Sequence, residues 1–162
     1  MDEIQPEEYN VYSDVLRQRL DRSSSNFFVI EDHTTTCLHR IPQDVVELFE
    51  KGFGIQDIRE RNQESHRLEN RFALGANIVL IPKEEVSRFF SPAGGGWETF
   101  HAKYSNAGIV ELSRVSFDAD QHQAHLYFGV QADYLVGYGC HFLLESKLGQ
   151  WVIKSELPAW KS

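Results

Sequence analysis

The residues best suited to chemistry lie in the last third of the chain, where four polar side chains recur within short apolar runs. Arg114, His125, Tyr127 and His141 are the candidates for a ligand-binding site. Imidazoles exchange protons near neutral pH, and a guanidinium holds a carboxylate or a phosphate. The four residues therefore predict a small polar site. The alternative is an ordinary solvated face, because one side of an antiparallel sheet commonly faces water.

These side chains are positioned by a series of short strands and turns between Gly108 and Ser162. The apolar runs read IVELSRVSF, HQAHLYFGV, YGCHFLLES and WVIKSELPAW, and turn-like segments separate them. Alternation of apolar and polar residues is typical of half-buried strands. The sequence therefore predicts a four-stranded antiparallel meander at the C-terminus.

The first hairpin of the meander sets the predicted relation between Arg114 and His125. A four-residue turn at 118–121 puts Phe117 opposite His122. Counting back along both strands then puts Arg114 across from His125 on one face of the sheet. Because side chains alternate, a slip of one residue would invert every assignment that follows from this turn.

The other two hairpins complete the predicted faces. They put Tyr127 opposite His141 and Lys147 opposite Gln150. The predicted core face consists of Val115, Phe117, Ala124, Leu126, Phe128, Phe142, Leu144, Trp151 and Ile153. The predicted mixed face consists of Arg114, His125, Tyr127, His141 and Glu145, with Leu112 and Leu143 among them.

The rest of the sequence predicts mainly helices, with two extended segments. Periodic apolar residues and proline starts predict helices over Pro6–Leu20, 42–52, 55–72, 83–90 and 97–104, and β-branched runs predict extended segments over 27–38 and 77–81. Helices followed by consecutive strands indicate one α+β domain spanning 1–162. In it, N-terminal helices pack on one face of a mainly antiparallel sheet that ends in the meander.

Two other patterns predict no cofactor or metal site. His33, Cys37 and His39 share one face of a straight strand, but His33 and Cys37 would lie about 13 Å apart at about 3.3 Å per residue, too far for one ion. The glycine run 94–96 precedes a helix without the lysine of a phosphate-binding loop. We expect a tight turn or hinge there.

Composition limits the partners and the compartment. The formal net charge of −8 argues against nucleic acid and anionic membranes. The first residues are acidic and no apolar run approaches the length of a membrane span, so we expect a cytoplasmic protein, or a secreted one if a leader has been removed. Cys37 and Cys140 are expected to be free thiols, with one disulfide as the alternative.

The C-terminal motifs resemble a family of uncharacterised bacterial proteins. The resemblance rests on Trp97-x2-Phe100-x3-Tyr104-x3-Gly108, Leu112-Ser113-Arg114-Val115-x-Phe117, Gln123-Ala124, Gly137-x-Gly139, Leu143-Leu144, Trp151 and Trp160-x-Ser162. It implies a common fold around residues 113–115 and draws attention to Arg114 and to a turn at 137–139. The family tends to have glycine where Ser116 stands and valine where His125 stands, which weakens the case for His125. No activity is implied.

The sequence thus predicts a non-enzymatic ligand-binding or protein-interaction domain that uses one face of the C-terminal sheet. It would bind an unknown small molecule or protein, and a homodimer is possible. The alternative is a small hydrolase or isomerase with His125 or His141 as acid and base and Arg114 as anchor. Arg114 would otherwise pair with a structural carboxylate such as Glu111 or Glu145.

Overall fold

A single mixed sheet organises the chain in a computed structural model that describes residues 3–20, 27–36, 41–75 and 77–162. Its seven strands have the order β2-β1-β3-β5-β6-β7, and β4 also pairs with β5. The strands are β1 (Phe27–Glu31), β2 (Asn77–Ile81), β3 (Ile109–Leu112), β4 (Ser116–Phe117), β5 (Gln123–Asp133), β6 (Val136–Lys147) and β7 (Gln150–Lys161).

The sheet is parallel at one end and antiparallel over the rest. β1 runs parallel to β2 and β3, whereas β3, β5, β6 and β7 are antiparallel neighbours. The predicted α+β fold with a C-terminal meander is confirmed. The first predicted strand of the meander is divided into β3 and β4 by residues 113–115.

Five helices accompany the sheet in the described part of the chain. They are α1 (Pro6–Leu20), α2 (Gln43–Phe53), α3 (Ile58–Arg61), α4 (Lys83–Phe89) and α5 (Gly96–Tyr104). Gly54 ends α2 in the left-handed conformation that favours glycine, with φ of 69°. Among these helices, none is long and apolar enough to cross a membrane.

The helix predicted over 55–72 is wrong except for the single turn of α3. Asn62 ends that turn, since its Nδ2 donates to the Ile58 carbonyl at 2.8 Å. The chain then runs beside the segment that follows β1: Thr34 N donates to the His66 carbonyl at 2.9 Å, and Leu68 N donates to the Asp32 carbonyl at 2.8 Å. Backbone pairing with a distant segment has overridden the local helical pattern.

Helices cover both faces of the sheet, so the expectation of one covered face is wrong. On the α1 face, Tyr12 and Leu16 of α1 lie in one cluster with Leu126 and Phe128. The opposite face, which we call the cleft face, is covered at one end by α2 and at the other by α5. There Phe49 joins a cluster with Tyr127 and Leu143, and Trp97 and Phe100 join another with Val29 and Ile81.

The predicted core face of the meander is confirmed. Eight of its nine residues are buried in the cluster of the α1 face, and Ile153 packs against that cluster partly buried. Leu112 was predicted on the mixed face, and this is wrong, since it is fully buried in the α1-face cluster.

Two of the three predicted hairpin registers are confirmed. Tyr127 pairs with His141, and Lys147 pairs with Gln150. The first hairpin is wrong, because Phe117 pairs with Ala124 instead of His122. Asp118 causes the difference: its Oδ1 accepts hydrogen bonds from the backbone N–H groups of His122 (2.8 Å) and Gln123 (3.0 Å), which lengthens the turn by two residues.

Residues 113–115 interrupt the strand, and side chains supply much of their backbone hydrogen bonding. Ser113 keeps one ladder bond to the Tyr127 carbonyl at 3.0 Å, and its Oγ accepts from Tyr127 N at 2.9 Å. Arg114 N donates to Asn62 Oδ1 at 3.0 Å, and Val115 N donates to Glu8 Oε1 at 3.1 Å. A buried backbone group without a partner is costly, so these side chains are required where the ladder stops.

Glu8 is the centre of this arrangement. It is fully buried, and both of its oxygens are used. Oε1 accepts from Arg114 Nε and Oε2 from Arg114 Nη2, each at 2.9 Å, while Oε2 also accepts from Gln5 N at 2.7 Å. Arg61 lies 3.6 Å away. The bidentate pair therefore fixes the start of α1 to the interrupted strand.

We predict that Glu8→Gln destabilises the protein by about 3–5 kcal/mol, because it removes the negative charge that pairs in bidentate fashion with the buried Arg114 guanidinium. Urea unfolding followed by tryptophan fluorescence measures the loss. The matched control, Glu50→Gln on the exposed side of α2, should change stability by less than about 0.5 kcal/mol. Equal small effects of both substitutions would contradict the role given to Glu8.

Candidate functional site

The structure separates Arg114 from the other predicted site residues. Its guanidinium is buried against Glu8, and Nη2 also donates to the Glu3 carbonyl at 3.3 Å. Its structural carboxylate is thus Glu8. Of the two carboxylates predicted for this role, Glu111 bonds to Tyr127, and Glu145 lies 3.8 Å from Lys154.

His125 and His141 form a buried pair beneath α2. His125 Nε2 and His141 Nδ1 are 3.1 Å apart, and the two rings stack with centroids 5.3 Å apart. Phe49 of α2 covers His125 with its ring centroid at 4.6 Å. Burial lowers the pKa of His125 well below its usual value, and the neighbouring His141 lowers it further. His125 is therefore neutral in the folded protein at neutral pH.

The open part of the cleft face is a depression of about 580 Å³ between α4, α5 and β7, which we call the sheet cleft. In the described part of the chain, its lining is mainly aromatic and aliphatic and includes two carboxylates. The lining residues are Glu31, Val86, Phe90, Trp97, Ile109, Glu111, Gly129, Val130, Gln131, Tyr134 and Trp160.

One row of paired residues forms the floor of the sheet cleft. Glu111 pairs with Gly129, Gly129 with Gly139, and Gly139 with Trp160. A Cβ on Gly139 would lie 2.1 Å from the Trp160 indole nitrogen, and one on Gly129 would lie 2.8 Å from Glu111 Oε1. Because the two glycines have no side chain, Glu111 can lie against the backbone of Gly129, and Trp160 can lie against the backbone of Gly139.

Tyr127 joins the two ends of this row. Trp160 Nε1 donates to the Tyr127 hydroxyl at 2.6 Å, and that hydroxyl donates to Glu111 Oε1 at 3.0 Å. Tyr127 is fully buried, whereas Glu111 and Trp160 are partly exposed. Of the four predicted site residues, Tyr127 is thus the one that orders the sheet cleft, and its ring lies 5.3 Å from that of His141.

A second carboxylate lies beside Glu111. The parallel register pairs Val29 with Ile109 and Ile30 with Val110, so that Glu31 comes next to Glu111 on the neighbouring strand. Both carboxylates line the sheet cleft. Tyr134, at the β5–β6 turn, forms its rim with the hydroxyl close to Gly96 of α5.

Five residues of the sheet cleft were not predicted to share a site: Glu31, Glu111, Gly129, Trp97 and Trp160. The available signal was glycine inside a strand, which indicates a close approach of another group. Gly137 and Gly139 were interpreted as a turn, and this is wrong, since both lie within β6. The resemblance that drew attention to them remains a prediction.

The remaining candidates for chemistry are not part of the sheet cleft. Cys140 is a buried free thiol whose pKa burial raises to about 11, so it is protonated at neutral pH. Cys37, expected to be a free thiol with a disulfide as the alternative, lies outside the described residues, as does His39 of the rejected metal set. His33 is exposed and lies 2.8 Å from Asp32.

The buried histidine pair predicts a loss of stability in acid. His125 has a lower pKa in the folded protein than in the unfolded chain, so the unfolded chain binds more protons below pH about 6.5. Stability therefore falls as the pH drops below about 6.5, by up to about 1.4 kcal/mol per pH unit for one proton. Urea unfolding between pH 5 and 7.5 measures this slope.

His125→Leu should reduce the slope, whereas the control His122→Leu, at an exposed position, should leave it unchanged. The same slope in wild type and His125→Leu would show that His125 is not the group whose protonation opposes folding.

Comparison of the chain with protein-family models, with curated proteins and with solved structures finds no match.

Proposed function

We propose that the protein is a non-enzymatic binding protein that holds a small organic molecule in the sheet cleft. The observation that carries this proposal is the row formed by Glu111, Gly129, Gly139 and Trp160. Adjacent glycines in the interior of two long strands weaken a sheet, since they contribute no side-chain packing. Here they make room for a carboxylate and an indole at the base of an open depression.

The size and lining of the sheet cleft support a small molecule as the ligand. Its volume of about 580 Å³ falls within the range of about 300–1,000 Å³ that is typical of ligand pockets. Such pockets combine apolar walls with a few polar groups that fix the orientation of the ligand. Trp97, Trp160 and Phe90 supply the walls, and Glu31 and Glu111 supply polar groups.

Catalysis by a histidine with an arginine anchor is the less well supported alternative. His125 and Arg114 are 0% and 1% exposed, and their described partners are protein groups. A substrate would have to displace α2 to reach His125, because Phe49 lies over its ring.

Protein interaction is the second candidate, and one observation favours it. The β5–β6 turn exposes three consecutive apolar residues, Tyr134 (66%), Leu135 (81%) and Val136 (58%). Adjacent exposed apolar side chains are a common feature of contact surfaces. The predicted homodimer stays a prediction.

The three tryptophans allow a direct test of small-molecule binding. Trp97 and Trp160 line the sheet cleft, whereas Trp151 lies on the α1 face with its indole nitrogen bonded to Glu7 at 2.8 Å. We expect fragments that bind the protein to shift the indole ¹H–¹⁵N signals of Trp97 and Trp160 and to leave that of Trp151 in place. Trp→Phe variants assign the three signals.

A cleft-filling variant sharpens this test. Gln131→Tyr adds bulk at an exposed position that lines the sheet cleft and should weaken fragment binding at least tenfold. Gln150→Tyr makes the same change at the exposed start of β7 and should have no effect. The proposal fails if no fragment in a chemically diverse set shifts Trp97 or Trp160, or if both variants bind as the wild type does.

A further inference from the structure

We propose that the protein forms a two-fold symmetric dimer in which the β2 strands of two copies pair antiparallel, so that one sheet continues through both. β2 is an edge strand of the sheet and does not line the sheet cleft, so the dimer is independent of the proposed function. The two edges of the sheet differ in how they are protected, and this difference carries the proposal.

The edge formed by β7 is protected by side chains of α1. Asp14 Oδ2 accepts a hydrogen bond from Trp151 N at 2.8 Å, and Gln18 Oε1 accepts one from Ile153 N at 3.1 Å. Gln18 Nε2 also donates to the Trp151 carbonyl at 2.7 Å. Further along the strand, Pro158 has no N–H group to offer. Prolines and covering elements keep an edge strand from pairing with another chain, so β7 is a poor site for a second copy.

The edge formed by β2 is apolar and only partly covered. The strand contains neither a proline nor a charged residue. Ile78 and Leu80 pack partly buried against the cluster of the α1 face, and Val79 packs partly buried against the cluster of the opposite face. Val29 and Ile30 of the adjacent β1 are fully buried. Partial burial on both faces is expected of a strand with a neighbour on one side, and an exposed apolar edge of this kind pairs readily with a further strand.

The backbone of β2 presents hydrogen-bonding groups to the open edge at Ile78 and Leu80. The Ile81 carbonyl points the other way, since it accepts from Asp32 N, just beyond β1, at 3.0 Å. Successive residues of a strand direct their N–H and C=O groups alternately to its two sides. The groups of Val79 therefore also point to β1, whereas those of Ile78 and Leu80 point outwards. Within the described ranges of the chain, no hydrogen bond to these outward groups is found.

A second copy of β2 fits this edge because the pattern of outward groups is self-complementary. In an antiparallel pair, residues whose backbone groups point towards each other exchange two hydrogen bonds. A pair centred on Val79 puts Ile78 opposite Leu80 of the second copy, and Leu80 opposite Ile78 of the second copy. Every outward N–H and C=O group then has a partner. Residues that lie opposite each other share a face, so the same register also brings these two apolar side chains together.

The charges of the strand are compatible with a second copy, although each chain has a net charge of −8. Like charges that lie directly opposite each other destabilise an antiparallel pair. In the register centred on Val79, that residue lies opposite itself, and Asn77 lies opposite Ile81. No charged side chains therefore meet within the ladder.

Sedimentation velocity over about a hundredfold range of protein concentration tests for the dimer. A stable interface buries about 1,200–2,000 Å², and a ladder of five residues is short for an interface, so we expect a weak dimer that dissociates on dilution. Val79→Lys places two ammonium groups opposite each other and should weaken the dimer at least tenfold. The control, Leu135→Lys at the exposed β5–β6 turn, adds the same charge and should change the affinity less than twofold.

Cysteine variants test the register with little change in side-chain size. In a protein with Cys37→Ser, Val79→Cys should form a disulfide between two copies under mild oxidation. The reason is that residue 79 forms a non-hydrogen-bonded pair with its own copy, in which the Cα atoms lie about 4.5 Å apart. Asn77→Cys is at the exposed end of the same strand, but its two copies would lie about 13 Å apart along the ladder. It should cross-link at least tenfold more slowly, as measured by non-reducing electrophoresis. Cys140 is buried and does not compete.

A wild-type protein that stays monomeric at every concentration overturns the inference. So does a dimer that Val79→Lys leaves unchanged, or one that Leu135→Lys weakens equally. Cross-linking of Asn77→Cys as fast as that of Val79→Cys also overturns it, because the strands would then not pair about residue 79. If circular dichroism shows that Val79→Lys does not fold, the two cysteine variants decide the outcome.

Discussion

The rest of the structure depends on the way Glu8 compensates for a broken strand. Residues 113–115 leave the ladder between β3 and β4, and their backbone groups need partners inside the protein. Glu8 supplies an acceptor for Val115 N and a counter-charge for the buried Arg114. The Glu8 carboxylate thereby bonds to the segment that interrupts the strand and fixes the start of α1 on the sheet. A charge so deeply buried is tolerated because each of its oxygens accepts more than one hydrogen bond.

The same interruption positions the sheet cleft on the other face. Ser113, at the first residue of the gap, accepts a hydrogen bond from Tyr127 N through its side chain, and Tyr12 of α1 donates to the Ser113 carbonyl at 2.7 Å. Tyr127 is thus tied to the α1 face through its backbone, while its ring points to the cleft face. The hydroxyl of that ring orders Trp160 and Glu111, so the geometry of the cleft depends on contacts made through the sheet.

The sequence pattern correctly predicted those features of the sheet that depend only on the alternation of side chains between its two faces. The faces of Leu126, Phe128 and Phe142 follow from the two-residue period, and the last two hairpins follow from their turns. The register of the first hairpin could not be predicted from alternation, because it depends on the hydrogen bonds that the Asp118 side chain accepts from the backbone of its own turn. The pairing of Arg114 with Glu8 spans 106 positions, and no local spacing indicates a contact at that distance. The cleft was missed for the same reason, because its floor combines single residues from several strands.

The histidines and the carboxylates on the cleft face differ in what surrounds them. His125 and His141 lie under α2 in contact with each other, and protonation of the buried His125 opposes folding. Glu31 and Glu111 lie in the sheet cleft, where none of the five described helices covers the sheet and Gly129 and Gly139 carry no side chain above the floor. A side chain at either glycine would collide with Glu111 or Trp160 and push it away from Tyr127. Gly129 and Gly139 are therefore required by the hydrogen bonds that join Trp160, Tyr127 and Glu111 across the sheet, and the low floor of the cleft is a consequence of that contact.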